Sequence, residues 1–158
     1  MPDIRVTALP TDLVHALRAG GPDIHGKPAE RTTANGPANP CRHCLSFIPE
    51  GAEMLIVAHR PFDNLQPYAE SGPIFLCANA CQRWEGEGLP PVLADGAEDR
   101  LVKGYSPDDR IVYGLGKIVD RDQIADRART VLNDPRVAYV HVRSSTNNCF
   151  TCRIDPVG

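Results

Sequence analysis

Ala138-Tyr139-Val140-His141-Val142-Arg143-Ser144, then Ser145-Thr146-Asn147-Asn148, then Cys149-Phe150-Thr151-Cys152-Arg153-Ile154 is the run that decides the fold. The two flanking segments are rich in β-branched and aromatic residues, and the first alternates polar with apolar positions. The four residues between them have turn composition, so the run reads as an antiparallel hairpin. Working outward, Glu53-Met54-Leu55-Ile56-Val57-Ala58-His59 and Pro73-Ile74-Phe75-Leu76-Cys77-Ala78 are short apolar runs bounded by Gly and Pro. They read as buried strands at the centre of a sheet. Ile4 to Leu9 alternates and stops at Pro10, giving a first strand. Leu101 to Tyr105 and Arg110 to Leu115 flank the turn residues Ser106-Pro107-Asp108-Asp109 and read as a second hairpin.

Two short helices interrupt the strands. One is capped by Thr11 or Asp12, carries the stripe Leu13, Val14 and Leu17, and stops at Gly20-Gly21. The other spans about 121–133, with Asp120 and Gln123 spaced as a capping box and Ile124, Ala128, Val131 and Leu132 on one face. Residues 20–40 are broken by Gly and Pro and read as an ordered irregular loop with a brief strand near Arg31-Thr33. Strands dominate and do not alternate regularly with helices, so the expected class is α+β, mainly an antiparallel sheet, with 1–158 as a single domain.

Composition narrows the function classes. At 158 residues the chain can remove roughly two-thirds of its unfolded surface from water, enough for a real core. A hydrophobic fraction of 42% and a charged fraction of 23% are ordinary globular values, which argues against disorder. Net charge is -3 and the basic residues are scattered, so no nucleic-acid partner is expected. No apolar run approaches the roughly 20 residues that cross a bilayer, and Met1-Pro2-Asp3-Ile4-Arg5 does not begin a leader, so the expectation is a cytoplasmic protein without a membrane partner.

That setting governs the six cysteines, because cytosolic reductants keep thiols reduced. They fall as Cys41-x-x-Cys44, Cys77-x-x-x-Cys81 and Cys149-x-x-Cys152, with His43 inside the first pair. Zinc favours four thiolate or imidazole ligands in a tetrahedron, and two separated short pairs are the usual way a chain supplies them. Asn39-Pro40 before the first pair, and no helical period after it, put Cys41 and Cys44 on a tight turn. In a strand the spacing of Cys149 and Cys152 sends their sulfurs to opposite faces, leaving only Cys149, beside the turn, well placed. The residues themselves therefore point to zinc on Cys41, Cys44 and Cys81, with Cys77, His43 or Cys149 as the fourth ligand.

Other chemistry competes with that reading. A metal held by three protein ligands and a water would be hydrolytic, with Glu70 or His141 as base and Arg143 holding an anion. A metal-independent thiol or redox enzyme would use Cys41, Cys44 or Cys149 activated by His43 or His141, although Pro49 cuts off the long helix that follows a thioredoxin-like pair. A partner-binding module with buried inert thiols is the third class, since free cysteine is often a small core hydrophobe. Tyr139, His141 and Arg143 share one strand face, whose default reading is a solvated surface. Arg60 has Glu70 as a candidate partner.

Three segments together, Pro40-Cys41-Arg42-His43-Cys44-Leu45, Pro67-Tyr68-Ala69-Glu70-Ser71-Gly72-Pro73-Ile74-Phe75, and Tyr139-Val140-His141-Val142-Arg143 followed by Cys149-Phe150, resemble the bacterial domain-of-unknown-function 1203 family. The resemblance covers nearly the whole chain, implies a single domain of similar length, and brings no activity with it. In the family pattern the position of Cys77 is more often His, and Cys152 stands where an apolar or aromatic residue is usual. A Cys for His exchange keeps a zinc ligand, so the resemblance implies Cys41, Cys44, Cys77 and Cys81 as the set and sets Cys152 aside.

Overall fold

The computed structural model describes residues Met1–Gly158. The hairpin that opened the reading is its spine: β9 (Tyr139–Ser144) and β10 (Phe150–Val157) pair antiparallel across a turn closed by Asn148 at φ 58. Asn tolerates that left-handed conformation because its short polar side chain bonds locally. The first strand, β1 (Asp3–Thr7), pairs with β10, and β7 (Asp99–Tyr105) pairs with β9. With β8 (Lys117–Asp120) on β7, the main sheet has the order β1-β10-β9-β7-β8 and is antiparallel throughout.

The two apolar runs pair as β5 (Glu53–His59) and β6 (Gly72–Cys77), but in a separate three-stranded sheet with β2 (Glu30–Thr33). They are therefore not the centre of the principal sheet, and β6 is an edge strand. A two-stranded ribbon, β3 (Asn39–Pro40) with β4 (Phe47–Ile48), stands between β2 and β5 in sequence and presents the Cys41–Cys44 turn.

Helix α1 (Thr11–Arg18) buries Val14 and Leu17, and α3 (Ile124–Leu132) buries Ile124, Ala128, Val131 and Leu132, the stripe its spacing predicts. Neither helix has a side-chain cap: Pro10 occupies the first N-cap, and a 3-10 turn over Arg121–Gln123 replaces the expected capping box. The Thr11 hydroxyl bonds His43 instead, and leading turns of this tighter kind are common at helix starts. A third, one-turn helix, α2 (Pro91–Ala94), begins with Pro at its first position, where the missing N–H costs nothing.

Helix α3 lies so close to the main sheet that Gly104 on β7 has no room for a side chain. A methyl there would sit 2.7 Å from Val131 Cγ1. The expected second hairpin is also corrected. Past the Ser106–Asp109 turn the chain makes one bridge, Tyr105 to Ile111, and then leaves the sheet; Lys117–Asp120, not Arg110–Leu115, is the pairing arm. Asp109 explains the departure. Its carboxylate accepts the Tyr139 hydroxyl at 2.7 Å and the Asn64 amide at 3.2 Å, a long-range anchor that draws the chain away. No helix is long and apolar enough to cross a membrane.

Candidate metal centre and an adjoining basic cleft

Between β3 and β4 the chain turns tightly. The Leu45 amide donates to the Cys41 carbonyl and the Cys41 amide to the Ser46 carbonyl, each at 3.0 Å. Leu45 takes φ 52 to close the turn, unusual for a bulky residue, and is held there because its side chain is fully buried. The second cysteine pair lies where β6 ends. Register brings β6 beside the turn: Cys41 bridges Phe75, and the Arg42 amide donates to the Phe75 carbonyl at 3.2 Å. The structure so brings Cys41, Cys44, Cys77 and Cys81 together, with all four Sγ atoms within 4.8 Å of one another. Cys41 to Cys81 and Cys44 to Cys77 are each 4.0 Å apart, and no cysteine is in a disulfide.

Donors surround the sulfurs. Arg18 Nη2 reaches Cys81 Sγ at 3.0 Å, and the backbone amides of Cys77 and His43 point at Cys41 Sγ at 3.3 and 3.5 Å. His43 bonds Cys81 Sγ through Nδ1 at 3.1 Å and Thr11 through Nε2 at 2.9 Å. It thus stands behind a thiol rather than among the four, and Cys149, the other alternate ligand, is elsewhere, at the β9–β10 turn. Hydrogen bonds from Cys44 and Cys77 pull the Cys41 thiol down to about 6, and those from Cys41, Cys44 and Cys77, with His43, hold Cys81 far below its usual range. The same hydrogen bonds raise the Cys44 and Cys77 thiols, each chiefly through Cys41. Cys152 is 1% exposed and burial pushes its thiol up to about 12, the behaviour of an inert core cysteine.

The turn also joins the two halves of the core. Leu45 packs in the cluster under the main sheet, with Val102, Val140 and Ile154, whereas Cys41 packs in the cluster under the small sheet, with Leu55, Ile74 and Leu76. Backbone bonds from Leu9 to Arg42, Trp84 to His43 and Val92 to Leu45 tie three further segments to it.

The face of Tyr139, His141 and Arg143 is not solvated, which overturns its default reading. These residues are 3%, 1% and 2% exposed, under a lid of Phe62, Tyr105 and Phe150 rings lying 4.6 to 5.2 Å from His141. Glu70 pairs with Arg143 at 2.6 Å, not with Arg60, whose Nε donates to the Phe62 carbonyl. Arg143 Nη2 in turn donates to His141 Nδ1 at 3.0 Å. A guanidinium only donates, so Nδ1 is the acceptor and the ring proton sits on Nε2. Burial first, then Arg143, Arg153, Lys103 and His59, hold His141 well below the usual imidazole range, so the ring is a neutral donor.

His141 and His59 lie at the edge of a cleft of about 830 Å³ that Phe62 and Phe150 also line, and a smaller cavity of about 190 Å³ holds Glu70, Arg143 and Cys149. Neither space is lined by Cys41, Cys44, Cys77 or Cys81. The structure therefore separates the four thiols from His141, Glu70 and Arg143. His59, Arg83 and Arg5, which the sequence reading does not single out, line the larger cleft together with Arg60, which it names only as a partner for Glu70; His59 and Arg60 stand at the end of β5, Arg5 is on β1 and Arg83 lies in a loop.

Fold and site define the class: an antiparallel α+β domain with a four-thiol turn cluster buttressing two sheets. The family model described as a protein of unknown function, DUF1203, matches residues 38–155, and the chain belongs to that family. No curated protein and no solved structure matches the chain.

Proposed function

We propose that the protein binds one zinc ion through Cys41, Cys44, Cys77 and Cys81, and that the ion is structural. The observation that carries this is the thiol geometry. Zinc–thiolate bonds of about 2.3 Å in a tetrahedron put sulfurs about 3.8 Å apart, against 4.0 Å for Cys41–Cys81 and for Cys44–Cys77 here. Four soft donors in that arrangement select zinc or iron over the hard cations. Four protein ligands close the coordination shell and leave no position for a reacting water, which favours a fold-holding role over hydrolysis. His43, Arg18 and the two backbone amides supply the outer hydrogen bonds that orient thiolates and offset their charge. A site of four thiolates needs its cysteines kept reduced, so a cytoplasmic setting is part of this proposal.

The test is metal content by mass spectrometry on untagged protein purified without chelator, with thiols titrated before and after unfolding. About one zinc per chain, four thiols shielded until unfolding, and loss of both metal and thermal stability in each single Cys→Ser variant of the set are expected. Cys149→Ser and Cys152→Ser should keep the metal. Metal-free protein in which one or two thiols react quickly would overturn the reading and favour a thiol enzyme.

A further inference from the structure

The larger cleft carries more positive charge than the chain as a whole. Four arginines, Arg5, Arg60, Arg83 and Arg153, line it against two carboxylates, Asp63 and Asp155, in a protein of net charge -3. Asp155 is engaged already, by Arg153 at 2.8 Å and by the Thr7 hydroxyl at 2.7 Å. Arg5, Arg60 and Arg83 form no ion pair, although acidic residues outnumber basic ones 20 to 17.

Two of these three are fixed by backbone carbonyls. Arg83 donates to Leu9 at 3.0 Å and to Ala8 at 2.7 Å, and Arg60 donates to Phe62 at 3.2 Å. A guanidinium held this way needs little further ordering to meet a ligand. On the inner wall, His141 has Nδ1 committed to Arg143, which leaves its Nε2–H to donate. His59 has a buried Nε2 with no partner at all. Buried polar atoms normally find partners, so this one, on a residue that lines both the larger cleft and the smaller cavity, is hydrogen-bonding capacity that the fold itself leaves unused. Phe62, Phe150, Pro10 and Leu13 complete the lining with apolar surface.

We propose that this cleft binds a small organic anion, one with a carboxylate or phosphate head and an apolar body. The head is held by Arg60 and Arg83 together with the Nε2 groups of His141 and His59, and the body rests on Phe62 and Phe150. A volume of about 830 Å³ suits one small molecule rather than a peptide or nucleic-acid strand. The proposal is independent of the thiol cluster.

Benzoate, phenyl phosphate and neutral benzyl alcohol serve as probes, titrated into the protein as purified and followed by the ring signals of the five histidines. At least one anion should bind saturably with a Kd below about 10 mM, shift His59 and His141 first, and bind more weakly as salt rises. The two anions compared show which head group the cleft prefers. The double variant Arg60→Gln, Arg83→Gln should weaken binding about tenfold or more with an unchanged melting temperature. If that chain is destabilised, Arg5→Gln, Arg60→Gln replaces it. Saturation by neither anion, equal binding of benzyl alcohol, or undiminished affinity in a folded double variant would overturn the proposal.

Discussion

Replacing His59 with Phe should flatten the acid limb of stability. Burial first, then Arg42 and Arg60, lower the imidazole from 6.5 to about 4. Between those values the unfolded chain holds the proton and the folded chain does not, so stability rises with pH there. The contribution is fully present above 6.5 and is lost as pH falls toward 4. Taking pH from 7 to 4.5 removes about 2 kcal/mol by this linkage, trimmed to about 1–2 kcal/mol because the ring is only partly buried. Phe keeps the packing on Phe150, whose centroid is 6.0 Å away, and removes the orphaned Nε2, so the variant should be no less stable at pH 7. Urea unfolding followed by circular dichroism at the two pH values is the assay. The midpoint of the natural chain should fall further than that of the variant by roughly 0.5–1 M. Losses from the thiol cluster or from His141 occur in both proteins and cancel in the comparison. Equal falls in both would refute the burial argument for His59.

Gly104→Ala should destabilise by about 1–3 kcal/mol, because the added methyl meets Val131 Cγ1 at 2.7 Å and a β-branched helix residue has little rotamer freedom to yield; adding Val131→Ala should restore most of the loss, and a stable single variant would count against the close α3–β7 contact. Leu45→Gly relieves a left-handed residue, worth roughly 1–2 kcal/mol, but deletes a fully buried side chain worth about 2–5 kcal/mol, so a net loss in thermal melts is expected. A gain would mean that turn strain outweighs packing. Glu70→Gln leaves the Arg143 guanidinium, 3% exposed, without its carboxylate; since Glu70 is itself 42% exposed, the expected cost is about 1–3 kcal/mol by chemical unfolding.

Local periodicity made β9, β10 and the buried stripe of α3 legible, since a side-chain period of 2 or 3.6 is written in consecutive residues. Helix α2 was not read from the sequence: Pro91 stands at its first position, where Pro is favoured, but four residues are too few to show a period. Partition into two sheets was not readable, because β5 and β6 have the same apolar composition whichever sheet they join. Arg110–Leu115 is β-rich and still leaves the sheet, since Asp109 answers to Tyr139, a partner 30 positions away. The same limit applies at the site. The Cys41-x-x-Cys44 turn could be read from spacing, whereas the approach of Cys77 and Cys81 depends on the register of β6 beside that turn. Of the cleft arginines only Arg60 is named by the sequence reading, and with the wrong partner, and Tyr139-Val140-His141-Val142-Arg143 read as solvated because alternation reports a two-faced strand without saying what covers the second face.

Arg42 links the thiol turn to the cleft. It lies between Cys41 and Cys44, is 5% exposed, and donates from Nε to the Phe150 carbonyl at 2.9 Å and from Nη1 to the Pro40 carbonyl at 2.8 Å. Phe150 stands where β10 slips register against β9, and its ring packs 4.8 Å from His141 and 6.0 Å from His59. One guanidinium therefore fixes both the turn and the residue between the two histidines. Lysine keeps the charge but has no planar fork with which to hold two carbonyls at once. Arg42→Lys should accordingly retain its metal, since all four thiols remain, while its affinity for benzoate or phenyl phosphate falls by about fivefold or more, the lower end of ordinary coupling between sites. Metal content and anion titration on the same preparation check this. Unchanged anion affinity in a metal-loaded Arg42→Lys chain would show that the turn holds the fold together without shaping the cleft.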